Sequence, residues 1–98
     1  MKDNVHNAVK RNILRILQFI EIPDNLLGLA ADVTFETMSS GKEPVANKTF
    51  AMSVLYNISK KEPDLKRELK ILIEDRMPYE SAAFTSRGKK FLNELNKA

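Results

Sequence analysis

The stretch ANKTFAMSVLYNI, Ala46 to Ile58, decides how this chain folds. Its apolar residues Ala51, Val54, Leu55 and Ile58 stand at i, i+3, i+4 and i+7, one face of a helix. The same frame appears thirty-eight residues earlier in AVKRNILRILQFI, Ala8 to Ile20. There Ala8, Lys10, Ile13, Ile16, Leu17 and Ile20 answer Ala46, Lys48, Ala51, Val54, Leu55 and Ile58. Thirty-seven residues later it returns as Ala83, Thr85, Gly88, Phe91, Leu92 and Leu95. Between these copies a second frame repeats at thirty-nine residues: Leu26 with Leu65, Ala30 with Leu69, Val33 with Leu72, Met38 with Met77. Two interleaved helical frames with a shared period of this size signal a two-helix repeat stacked as a solenoid.

The punctuation agrees. All four prolines fall between periodic segments. Pro23, Pro44 and Pro63 can open helices, where a missing N–H costs little, whereas Pro78 stops one. Gly41 lies in the turn SSGKEP, and Ser81 can cap the last helix. The pattern predicts helices over about 4–21, 24–39, 44–61, 63–77 and 81–96. Connections of a few residues make neighbouring helices antiparallel. No segment alternates with period two, so no sheet is expected. The 98 residues read as one domain, 1–98, without linker or low-complexity tract.

Composition removes several functions. With no cysteine there is no disulfide, thiolate metal site or cysteine nucleophile, and a reducing, cytoplasmic setting is the default. No apolar run approaches membrane-spanning length, because Lys10, Arg11, Arg15 and Glu21 interrupt the first helix. The net charge of +3 comes from 16 basic and 13 acidic residues interspersed along the chain, which permits nucleic-acid binding without arguing for it.

The run K-x-x-A-x-x-V-L-x-x-I, Lys48 to Ile58, resembles the second helix of HEAT repeats, and Lys10 to Ile20 has the same form. The overall sequence is similar to the C-terminal part of small bacterial HEAT-like proteins. The resemblance implies an all-α, right-handed α-solenoid of about five antiparallel helices, two and a half repeats. In the family, a base at the Lys10 and Lys48 position ladders with an Asp in the preceding turn. Asn4 and Lys42 stand six residues before those lysines, so this rung is not expected here. Counting repeats makes the first helix the second member of a pair. Val5, Val9 and Phe19 widen its apolar arc, so self-association through the helix-one end is expected if no further repeat packs there.

Catalysis finds little to use. His6 is the one histidine and stands in the first turn of a helix, without a second histidine or a carboxylate cluster at ligand spacing. Ser39-Ser40 and Met77-Pro78-Tyr79 resemble pieces of the signature loop of adenylosuccinate lyases, but they fall in different connections. Gly28 and Gly88 interrupt helices rather than a strand-to-helix loop, so close packing explains them better than a phosphate cradle. The chain reads as a non-enzyme without metal or cofactor.

What remains is a surface. Opposite the shared stripe, the first, third and fifth helices carry polar residues that stacking would align as three rungs: Arg11–Thr49–Ser86, Arg15–Ser53–Lys90 and Gln18–Tyr56–Asn93. The resemblance implies that this face is concave. It would be a polar, mildly basic groove with one aromatic anchor, Tyr56, suited to a protein or peptide partner with acidic groups. Merely solvated residues would show the same pattern. The alternative is a nucleic-acid backbone held by Arg11, Arg15, Lys48, Arg87, Lys89 and Lys90.

Overall fold

The computed structural model describes the backbone of residues 2–97 and the side chains of residues 8–97. Among them are five α-helices and no strand: α1 (Lys2–Leu17), α2 (Leu27–Ser39), α3 (Val45–Lys61), α4 (Asp64–Arg76) and α5 (Ala82–Asn96). Short 3-10 turns, Asp24–Leu26 and Met77–Tyr79, lead into α2 and out of α4. The first helix ends four residues short of the expected boundary, and residues 21–23 belong to no helix or turn. Pro23, Pro44 and Pro63 sit at the residue before a helix or turn, with φ between −55° and −60°. The Ser81 side chain accepts a hydrogen bond from the Phe84 N–H at 3.4 Å, the predicted cap. His6 lies outside the described side chains.

The helices form two layers. α1, α3 and α5 stack side by side in one, α2 and α4 in the other, and α3 touches every other helix. That central position explains why Ala51, Met52, Val54, Leu55 and Ile58 are 0–2% exposed. With Met38, Leu69, Ile73 and Phe84 they make one continuous core. Burial of each such large side chain contributes roughly 1.5–3 kcal/mol. The buried hydroxyls of Thr34 and Thr37 donate to the carbonyls of Ala30 and Val33 one turn back, both at 2.8 Å, so the α2–α3 contact carries no orphaned donor there.

The two glycines that the sequence reading assigns alike to close packing differ. A Cβ on Gly88 would lie 2.9 Å from Ile73 Cγ2, so the glycine is what lets α5 close on α4. Gly28 is exposed with nothing within 4 Å, and packing does not account for it.

The ladder is present after all, but it runs between repeats. Lys10 Nζ donates to Glu43 Oε2 at 2.8 Å, and Lys48 Nζ donates to Glu80 Oε2 at 2.7 Å. Each glutamate stands just before the capping residue of the next helix in the layer, α3 or α5, where a negative charge also suits the helix N-terminus. The expectation failed because it sought an acid before the base within one repeat, whereas the stacking brings the acid of the following repeat.

The first helix departs most from its reading. Ile13, Ile16 and Ile20 match the buried Ala51, Val54 and Ile58, yet they are 50–55% exposed, while Leu14 is 2% exposed. α3 is covered on both sides, whereas among the described residues α1 packs on α3 alone.

Candidate functional site

The α1–α3–α5 layer carries an open groove of about 480 Å³, lined by Gln18, Ser53, Ala83, Ser86, Arg87, Lys90 and Phe91. Each helix contributes what its register allows. On α5, Ala83, Arg87 and Lys90 share one face, and Phe91 follows Arg87 by one turn. On α3, Ser53 offers its hydroxyl from the floor. From α1 comes only the residue after its last turn, Gln18, whose carbonyl accepts a hydrogen bond from Asn57 Nδ2 at 2.9 Å.

Arg87 organises the groove. Its Nη1 donates to Ser53 Oγ at 3.0 Å and to the Thr49 carbonyl at 3.5 Å, so an α5 cation is tethered to α3 by neutral oxygens. Ser53 in turn donates to the Thr49 carbonyl at 3.3 Å. Among the described residues no carboxylate forms an ion pair with Arg87 or Lys90, although the chain pairs other cations six times. Beside the groove, Tyr56 stacks on Phe91 with ring centroids 4.5 Å apart. Lys60 Nζ lies 4.9 Å from the Tyr56 centroid and Lys90 Nζ 5.8 Å from that of Phe91. Both ammonium groups are thus held near aromatic faces. The arrangement offers positive charge, hydroxyls and an aromatic edge, and no acid–base pair or nucleophile with a base.

The structure unites Gln18, Ser53, Ser86 and Lys90 and separates the rest of the expected rungs. Thr49 is buried and its hydroxyl donates to its own helix, to the Ala46 carbonyl at 2.9 Å. Tyr56 is half-buried against Phe91 and packs α3 on α5. Arg11, Arg15 and Asn93 are exposed but outside the groove lining; α3 stands between α1 and α5, which make no contact with each other among the described residues.

Lys48 needs a correction. Expected among the phosphate contacts, it is 3% exposed and locked to Glu80, so it presents no charge to a ligand. Arg76 completes this buried cluster, with Nε and Nη2 at 2.9 and 2.6 Å from Glu80 Oε2. Burial pushes the Glu80 carboxyl up, but the hydrogen bonds and charges of Lys48 and Arg76 outweigh it and hold the group below its ordinary value. Lys89 and Lys90 remain exposed.

The repeat frame places Phe91 in the inward stripe, whereas the structure sets it in the groove lining, stacked on Tyr56. Its i+4 spacing from Arg87 is the signal that could have placed it there. Among the described residues no group of three or more His, Asp or Glu side chains could hold a metal ion, and no helix is long and apolar enough to cross a membrane.

A family model described as the HEAT repeat domain matches residues 1–95, nearly the whole chain. The chain belongs to the HEAT repeat family. Its two layers of antiparallel helices are therefore a HEAT-type stack, and the Lys10–Glu43 and Lys48–Glu80 pairs are its inter-repeat ladder. No curated protein and no solved structure matches this HEAT repeat chain.

Proposed function

We propose that this HEAT repeat chain is a non-catalytic protein-interaction module that holds an acidic, aromatic-bearing peptide segment in the α3–α5 groove. HEAT repeat domains generally mediate protein interaction and scaffolding, and the family is typically non-catalytic. The observation that carries the reading is the pair of cations over a polar floor. Arg87 is pre-positioned by Ser53 and the Thr49 carbonyl, and Lys90 stands beside it over Phe91, without a carboxylate on either among the described residues. A planar guanidinium held this way is suited to bidentate capture of a carboxylate. Stacked rings at the rim favour an aromatic neighbour in the bound segment.

The cationic positions that would instead follow a phosphate backbone are reduced by the burial of Lys48 and divided between the groove and the outer edge of α1. Fluorescence anisotropy separates the two ligands. The probes are a labelled peptide of alternating glutamate and phenylalanine, a labelled DNA duplex and a labelled single-stranded RNA, at low and at physiological salt. The peptide should bind, and Arg87→Ala with Lys90→Ala should weaken it about tenfold or more. Tyr56→Phe should keep affinity, since it preserves the stack. Peptide binding indifferent to the double substitution refutes the groove, and tight nucleic-acid binding with a steep salt dependence replaces the proposal with phosphate recognition.

A further inference from the structure

The edge formed by α1 and α2 is apolar, unlike the mixed surface elsewhere. Val9, Ile13 and Ile16 on α1 are 51–55% exposed; Leu26, Leu29 and Val33 at the start of and along α2 are 41–64% exposed. A cleft of about 300 Å³ separates the two helices, lined by Val9, Ile13, Leu14 and Leu17 on one side and Val33 on the other. An apolar face of this extent marks an interaction surface. The repeat itself says what kind. Ile13 and Ile16 occupy the places of Ala51 and Val54, which are wholly buried on α3 between the helices on either side of it. The α1 copy of that face fits a helix which the described residues do not supply.

We infer that a second copy of this chain supplies it, in a twofold dimer that lays the outer apolar row of each α2 on the exposed row of the partner's α1. The charges at the two rims select this occupant. On α1 the cleft side is marked by Lys10, Leu14 and Leu17, so Arg15 borders the apolar row on the far side. On α2, Asp32 and Glu36 follow Leu29 and Val33 by three residues and border that row on its own far side, with no basic residue anywhere in the helix. One rim is basic and the other acidic. A twofold axis through the cleft exchanges them, so each basic rim meets an acidic one, and the patch is self-complementary as an isologous interface requires.

Two further observations agree. The chain exposes 6332 Å², whereas a monomer of its 11.2 kDa mass is expected to expose about 5,700 Å². Part of that difference follows from the slab shape of 43 × 34 × 18 Å, but it is of the order of the ~800 Å² per partner that a stable interface covers. In the repeat frame the position one period before Glu43 is Val5, not an acid. The interface lies on a different edge from the Arg87 groove and leaves that groove open.

Sedimentation velocity over a range of concentrations tests the inference. The wild-type chain should pass from monomer to dimer. Ile13→Glu with Val33→Glu, both at half-exposed positions, should weaken the dimer about a hundredfold or more while circular dichroism stays native. Arg15→Glu and Glu36→Arg should each weaken it about tenfold, and mixing those two variants should restore it, because their heterodimer pairs opposite charges at both rims. A wild-type chain monomeric at concentrations on the order of 1 mM overturns the proposal and leaves the face to a different helix. A dimer unaffected by the apolar pair, or a mixture that does not recover, overturns it as well.

Discussion

Replacing Glu80 by glutamine isolates the most buried ion pair among the described residues. Glu80 and Lys48 have side chains 5% and 4% exposed and meet at 2.7 Å, and Arg76 reaches the same carboxylate oxygen with two nitrogens. Glu80→Gln keeps the volume but leaves the Lys48 ammonium buried without a counter-charge. Such a loss costs about 3–5 kcal/mol, against a total of about 5–15 kcal/mol for a domain of this length. Lys48→Met should cost less, about 1–3 kcal/mol, because Arg76 still neutralises Glu80 and the apolar chain fills the space. Pairing Lys48→Met with Glu80→Leu should recover much of the single loss.

The pH dependence supplies an independent readout. The folded-state pKa of Glu80 lies below its ordinary value of 4.5, so its stabilisation is complete above that value. It is lost as pH falls through the lower, folded-state value. The gap in stability between wild type and Glu80→Gln should therefore be full at pH 7 and should narrow below about pH 4. Urea denaturation followed by circular dichroism at both pH values measures each quantity. If Glu80→Gln costs under about 1 kcal/mol at pH 7, or Lys48→Met costs more than Glu80→Gln, the ladder is not the buried, charge-balanced element described here.

Leu55→Ala, at a wholly buried position in the central helix, should cost about 2–5 kcal/mol in the same denaturation assay and should leave the chain marginal or unfolded. Gly88→Ala and Gly28→Ala should move stability in opposite directions. Alanine at 88 meets the Ile73 methyl at 2.9 Å, so overpacking of about 1–3 kcal/mol exceeds the gain of about 1 kcal/mol in helix propensity. At 28 nothing lies within 4 Å, and the propensity gain of up to about 1 kcal/mol remains. Thermal melts of the two variants side by side decide both.

The helices and their stacking were legible because amphipathic period and turn chemistry are local. Ala51, Val54, Leu55 and Ile58 announce one face, and Pro44, Pro63 and Ser81 announce where helices begin. The internal repeat then implied which helices share a layer. The groove was only partly legible. Polar spacing identified Ser53, Ser86, Lys90 and Gln18, but nothing local says that the groove opens between α3 and α5, with α1 on the other side of α3, which leaves Arg11 and Arg15 outside.

What the sequence by itself determined is therefore the set of helices, their two-layered repeat and the positions that face a neighbour. Each of these follows from the chain's own periodicity. Only the tertiary structure decided which of those positions have a neighbour. Ile13 and Val54 carry the same pattern, yet one is half exposed and the other wholly buried, because α3 has a helix on each side and α1 has only one among the described residues. Likewise Lys48 reads as a surface cation until the stack brings Glu80 and Arg76 against it. Burial and charge pairing belong to the contacts between repeats, and a periodic sequence states its faces without stating what covers them.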